Sequence, residues 1–214
     1  RVALARFDRA FQSTEEWLAA AHAFLTPEEI EGPLARIAER QPARRQEWLL
    51  GRLAAKRAIA ALANGAGPAS ILSDSEGRPV VRLAGSAVAP FVSITHKNGL
   101  AVAAAAPAPI GVDLESLASL RDPDIFADRV LTADERAFAD GADDLASTVV
   151  VFWSLKEAAS KALAAPFVGQ ERLFAVEAIN PSAQRARIAF EARAAEAAYM
   201  VKDGYVCALA AVSP

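Results

Sequence analysis

The 214 residues include one cysteine, one methionine and two histidines, and each scarcity removes a class of chemistry. Cys207 alone cannot close an internal disulfide, so nothing in the chain asks for an oxidising compartment. It lies in the strand-like apolar run Tyr205-Val206-Cys207-Ala208-Leu209, which marks a buried inert thiol rather than a nucleophile. Zinc sites draw on cysteine or on more histidine than His22 and His96 provide. Positive charge is not in excess, since the formal net charge is -3, which argues against nucleic-acid binding through an overall basic surface. Arg44-Arg45 remains a local basic cluster. The longest apolar runs, residues 100–109 and 149–153, fall well short of the roughly 20 needed to span a bilayer. No signal-peptide pattern opens the chain. The reading is a soluble cytoplasmic protein with no membrane and no nucleic-acid partner. Arg1 in place of methionine reads as the edge of a trimmed chain or of a domain cut from something longer. A Gly-rich Walker loop and a G-x-G-x-x-G are both missing, which sets aside P-loop and dinucleotide folds.

What is present fits an ordered globular chain with a substantial core, at 53% apolar and 23% charged residues. A first strand fits Val2-Ala3-Leu4-Ala5-Arg6-Phe7. Ser13-Thr14-Glu15-Glu16 is a capped helix start, and Leu25-Thr26-Pro27-Glu28-Glu29 is another. Trp48, Leu49, Leu53, Ile59 and Leu62 recur at helical intervals, predicting a long helix over residues 45–63 that Asn64-Gly65-Ala66-Gly67-Pro68 stops. Glu76-Gly77-Arg78-Pro79 is a turn. Residues 91–96 and 100–106 form a hairpin around Lys97-Asn98-Gly99. The second half repeats this order of elements. A strand at residues 111–115 is followed by a capped start at Leu131-Thr132-Ala133-Asp134-Glu135. A long helix over residues 145–164 and strands at 174–179, 187–192, 198–202 and 205–212 complete it. The expectation is α+β, with an N-terminal half over 1–108 and a C-terminal half over 109–214. The likeness lies in element order, with no convincing repeat of residues, and a ligand site at the junction is a favoured arrangement.

The chemistry gathers in three stretches. Along an extended Gly111-Val112-Asp113-Leu114-Glu115, Asp113 and Glu115 project to one face and Val112 and Leu114 to the other. Two carboxylates side by side repel, and a cation between them relieves that; equally, acidic residues are common where a strand runs into a loop. On the helix containing Phe152-Trp153-Ser154-Leu155-Lys156-Glu157-Ala158-Ala159-Ser160-Lys161, residues Trp153, Glu157 and Lys161 stand four apart on one face. Glu157 and Lys161 read either as an exposed ion pair or as a third carboxylate with a phosphate-neutralising charge. In Ser93-Ile94-Thr95-His96, His96 at a strand end is either structural or a donor to a phosphate oxygen. Arg78 is either a solvated turn residue or part of an anion site. An oxygen-only, carboxylate-rich donor set suits Mg²⁺.

In combination these stretches resemble the 4′-phosphopantetheinyl transferases, in particular the two-half, surfactin-synthetase-activating type. The resemblance rests on Gly111-Val112-Asp113-Leu114-Glu115, the helix motif from Trp153 to Ala162, Gly77-Arg78-Pro79, Ile94-Thr95-His96 and the first-half helix from Trp48 to Lys56. It implies two similar α+β halves related by pseudo-twofold symmetry, with the active site in the cleft between them. It implies a monomer that uses coenzyme A and Mg²⁺ to move phosphopantetheine onto a serine of an acyl or peptidyl carrier protein, releasing 3′,5′-ADP. By motif position Asp113, Glu115 and Glu157 would hold the metal, with Glu157 also the candidate base. Lys161 would neutralise the diphosphate, Thr95 and His96 would contact coenzyme A phosphates, and Arg78 with Arg45 or Arg44 would grip the 3′-phosphate end. The carrier would dock on the second half, with residues 117–130 as a candidate wall. Where some relatives place two lysines after the first Ser/Thr-Pro helix start, this chain has Glu29 and Gly32. A docking module without turnover, or another Mg²⁺-dependent phosphoryl-transfer enzyme or hydrolase, is the alternative reading.

Overall fold

The structure, a computed structural model, describes residues 1–7, 10–63, 67–86 and 88–212. In chain order the elements are β1 (Val2–Arg6), α1 (Thr14–Phe24), α2 (Pro27–Glu29), a π-turn (Ile30–Leu34), α3 (Ala35–Ala38), α4 (Pro42–Leu62), β2 (Ala69–Ser73), β3 (Pro79–Leu83), β4 (Phe91–Lys97) and β5 (Leu100–Ala106). There follow β6 (Ile110–Ser116), a 3₁₀ turn (Leu117–Ser119), α5 (Pro123–Val130), α6 (Ala133–Asp140), α7 (Leu145–Leu163), a 3₁₀ turn (Glu171–Leu173), β7 (Ala175–Asn180), β8 (Arg185–Phe190), β9 (Arg193–Lys202) and β10 (Tyr205–Val212). The chain divides into two compact units, Arg1–Ala108 and Pro109–Pro214. The stop expected at Asn64-Gly65-Ala66 lies outside the described residues.

Each unit is an antiparallel sheet crossed by one long helix. In unit one the sheet order is β1-β5-β4, with β2-β3 as a separate hairpin; in unit two it is β6-β10-β9-β8-β7. Counted from its own first strand, each unit runs first, fifth, fourth. Unit two continues with its third and second strands in the same sheet. Alanine dominates the strand faces under the helices: Ala101, Ala103 and Ala105 meet Ala54, Ala55 and Ala58 in unit one, and Ala208 and Ala210 meet Ala158, Ala159 and Ala162 in unit two. Small side chains bring helix and sheet backbones close, and the apolar area removed from water stabilises the pairing at about 25 cal/mol per Å².

A repeat of residues, which the sequence did not suggest, is present in three dimensions. In unit one, Thr26 and Glu29 form a reciprocal capping box at the start of α2. Lys56 of α4 reaches Glu29 Oε2 at 2.7 Å and the Ala69 carbonyl at 2.5 Å, while the Ile71 amide donates to Glu29 Oε1 at 3.1 Å. In unit two, Thr132 and Glu135 form the same box at the start of α6. Lys156 of α7 reaches Glu135 Oε2 at 2.6 Å, and the Val176 amide donates to Glu135 Oε1 at 2.7 Å. Each anchor ties a long helix to a capped turn and to the unit's second strand through a buried glutamate. Glu29 is thus a fully buried structural residue, occupied by Lys56.

Candidate metal and anion sites

In unit two, β6 pairs with β10 so that Gly111, Asp113 and Glu115 stand opposite Ala210, Ala208 and Val206. Those three partners belong to the core under α7, so period-two alternation turns both carboxylates toward that helix. Gly111 explains how close the strand comes. A Cβ there would lie 1.9 Å from the Ala158 carbonyl oxygen and 2.7 Å from the Ala162 amide nitrogen, both in α7. Asp113, Glu115 and Glu157 each place one carboxylate oxygen within 4.8 Å of the others. The strand's two-residue period and the helix's four-residue period meet at this point.

Lys161, one helical turn beyond Glu157, threads the cluster. Its Nζ lies 3.0 Å from Asp113 Oδ1 and 3.0 Å from Glu157 Oε1, and donates to the Val112 carbonyl at 3.0 Å. The Glu157–Lys161 pair is therefore no isolated surface pair, because Asp113, only 2% exposed, shares it. Burial raises the pKa of Glu157 above its ordinary value, as do the charges of Asp113 and Glu115, against the opposing pull of Lys161. Burial disfavours the Lys161 ammonium, yet Asp113 and Glu157 outweigh it and keep its pKa above the ordinary one. Cys207 stands beside Leu114 on β10, and burial, then Asp113, pushes its thiol up to about 11. It is a thiol, not a thiolate, at neutral pH.

Unit one holds a cavity of about 250 Å³ lined by Arg44, Glu47, Trp48, Arg52, Gly77 and His96 among others. Arg44, Trp48 and Arg52 are spaced four apart and share one face of α4. The Arg52 guanidinium lies over the Trp48 ring at 4.5 Å, and its buried Nε has no hydrogen-bond partner among the described residues. Burial lowers the Arg52 pKa to about 10, with Glu29 opposing, so it is still a cation at pH 7. Glu47 sits 3.3 Å from Arg44 and 3.6 Å from His96 Nδ1. Two arginines, a histidine and a buried donor without an acceptor favour an anion in this cavity.

The remaining expected residues lie elsewhere. Thr95 is buried on the face of β4 opposite Ile94 and His96 and does not line the cavity. Arg45 turns toward α1, donating to Thr14 Oγ1 at 3.0 Å with its guanidinium over Trp17. Arg78 sits in the β2–β3 turn between cavity residues Gly77 and Pro79, and its side chain pairs with Asp74 at 2.8 Å and Glu76 at 3.0 Å. Arg52 and Glu47 were missed by sequence reasoning, although the four-residue spacing of Arg44, Trp48 and Arg52 was the signal that could have found Arg52.

Residues 109–210 match the 4′-phosphopantetheinyl transferase superfamily, and residues 33–106 match the 4′-phosphopantetheinyl transferase N-terminal domain. Among solved structures, a holo-(acyl-carrier-protein) synthase from Bacillus anthracis str. Ames in complex with CoA (3′,5′-ADP) is 21% identical over 49% of this chain and 94% of its own, with a TM-score of 0.43. The Helicobacter pylori holo-[acyl-carrier-protein] synthase in complex with coenzyme A is 25% identical over 49% of this chain and 99% of its own, with a TM-score of 0.40. No curated protein sequence matches the chain. The two family matches, which fall on the two units in turn, define the class: the chain belongs to the 4′-phosphopantetheinyl transferase superfamily. It is a transferase of the kind that carries both an N-terminal domain and the superfamily's core domain.

Proposed function

We propose that this chain transfers the 4′-phosphopantetheine arm of coenzyme A to a serine of an apo acyl or peptidyl carrier protein, with Mg²⁺, releasing 3′,5′-ADP. The observation that carries the reading is the cluster of Asp113, Glu115 and Glu157 threaded by Lys161, inside the segment that matches the superfamily. Three carboxylates with no sulfur or imidazole donor form a hard oxygen set, which fits Mg²⁺. Asp113, Glu115 and Glu157 would hold the ion, which supplies positive charge against the phosphates when bound.

The chain's own groups account for the rest of the reaction. The serine Oγ attacks the phosphorus bearing the pantetheine arm, a new P–O bond forms, and the bond to the 3′,5′-ADP oxygen breaks. The serine proton passes to Glu157, directly or through water. Lys161 stands close enough to the cluster to offset charge gathering on the leaving diphosphate. In unit one, Arg44, Arg52 and His96 take the 3′-phosphate end, with Arg78 joining from the neighbouring turn on leaving Asp74. Arg45 and Thr95, turned from the cavity, brace α4 and β4 in this reading.

The test is to incubate the protein with coenzyme A, Mg²⁺ and several apo carriers and weigh the carriers. The proposal expects one carrier to gain the mass of phosphopantetheine. Unchanged masses with every carrier overturn it, and phosphate released from coenzyme A alone replaces it with a hydrolase.

A further inference from the structure

The repeated lysine–glutamate anchor carries an inference about the acidic cluster. Lys156 precedes Glu157 in α7 and is fully buried. Its ammonium is held at three points: Glu135 Oε2 at 2.6 Å, the Val130 carbonyl at 2.8 Å and the Glu171 carbonyl at 3.3 Å. Glu135 is held in turn by the Thr132 and Val176 amides at 2.8 and 2.7 Å. One turn of α7 is thereby fixed against the end of α5, the start of α6, the Glu171–Leu173 turn and β7. The same anchor in unit one holds α4 through Lys56, but the residue after Lys56 is Arg57, which reaches the Leu4 carbonyl rather than a carboxylate cluster.

We infer that Lys156 is a positioning residue for Glu157. By locking the adjacent turn of α7 it sets where the Glu157 carboxylate stands relative to Asp113 and Glu115. The inference rests on the reading of those three residues as a metal site. A carboxylate on a long helix has several rotatable bonds, and three oxygens converge on one cation only if the helix backbone cannot slide or rotate. The anchor supplies that constraint, from the side of α7 away from the cluster, without touching the metal or the substrate. Unit one, with the same device followed by Arg57 and no comparable acidic cluster among the described residues, is the internal control.

The experiment titrates the full chain with Mn²⁺ alone, reading free ion by electron paramagnetic resonance, alongside thermal unfolding of each variant. Lys156→Met is expected to weaken Mn²⁺ binding about tenfold, the lower end for groups that orient metal ligands. Lys56→Met breaks the matching anchor in unit one and is expected to lower the melting temperature while leaving Mn²⁺ affinity within about twofold of wild type. Glu135→Gln keeps an acceptor for Val176 and gives a second reading, with an expected weakening of several-fold, if Lys156→Met does not fold. Wild-type affinity in folded Lys156→Met, or in Glu135→Gln where the former does not fold, overturns the inference, as does equal weakening in Lys56→Met. Asp113→Asn separates the two levels. If the wild type fails to bind Mn²⁺, or Asp113→Asn binds it unchanged, the metal reading itself is overturned and the positioning role with it.

Discussion

Lys161 is the residue on which the charge balance of the acidic cluster turns. With Asp113 and Glu157 both 3.0 Å from its ammonium, it offsets repulsion among three carboxylates that share a few ångströms. Burial raises the Glu157 pKa and Lys161 opposes the rise, so removing Lys161 raises it further. In the proposed reaction Glu157 accepts the serine proton only when ionised. Lys161→Ala, which also removes a cation from beside the leaving diphosphate, is expected to slow transfer at pH 7; an unchanged rate leaves Lys161 only its pairing with Asp113 and Glu157. The two-residue period of β6 made the Asp113–Glu115 pair legible and the four-residue period of α7 the Glu157–Lys161 pair, while the gathering of all three carboxylates at one point rested on the family resemblance. Arg52 was not, because a Gly-Arg step inside a long helix looks like ordinary helix surface until Trp48 is seen beneath the guanidinium. The choice of Arg44 over Arg45 for the cavity also depended on the helix's rotation, since adjacent residues point about 100° apart.

Among the elements, α7 and β6 carry the site, and each has one position on which its placement depends. Gly111 lets β6 approach α7 to a distance no side chain permits. Gly111→Ala drives a methyl into the Ala158 carbonyl and is expected to cost roughly 3 kcal/mol of stability, measured by urea unfolding; a neutral effect contradicts the close approach. Asp144 caps α7, its carboxylate accepting from the Ser147 amide at 3.0 Å and hydroxyl at 2.6 Å. Those bonds hold its pKa below the ordinary value. The ionised cap therefore contributes fully above the ordinary carboxylate pKa, and its contribution is lost as pH falls through the lowered one. Asp144→Ala is expected to destabilise by about 1 kcal/mol near pH 7, with the difference shrinking in acid. The long helices and the β4–β5 and β9–β10 hairpins followed from periodicity and turn chemistry. The strand β2 did not, because Ala69, Ser70 and Ile71 are buried in succession, which erases the alternation by which a strand announces itself. The helix expected from Thr26 runs on to Ala38, with a π-helical turn at Ile30–Leu34 that accommodates Pro33.

Taken as a whole molecule, the chain repeats a first-fifth-fourth strand order and gives each copy different polar groups. Unit one has arginines and a histidine around a cavity, and unit two has carboxylates around a lysine. The likeness of the units shows most closely in the Thr-Glu-Lys anchors. They escaped sequence reading because Glu29 and Lys56 are 27 residues apart while Glu135 and Lys156 are 21 apart, so no fixed period relates them. Chelation is expected to abolish transfer while leaving the melting temperature of the protein within a few degrees, because both cores close without an ion. Restoration by added Mg²⁺ is the check, and full activity in excess chelator removes the metal from the mechanism.

The central claim, that Asp113, Glu115 and Glu157 form the transfer centre, meets its most direct test in one rate. The initial rate at which an apo carrier gains phosphopantetheine mass should be compared between wild type and folded Asp113→Asn at saturating coenzyme A and Mg²⁺. A loss of roughly a hundredfold or more, the scale set by removing one group from a preorganised electrostatic site, is the predicted result. A variant that transfers at the wild-type rate contradicts the assignment.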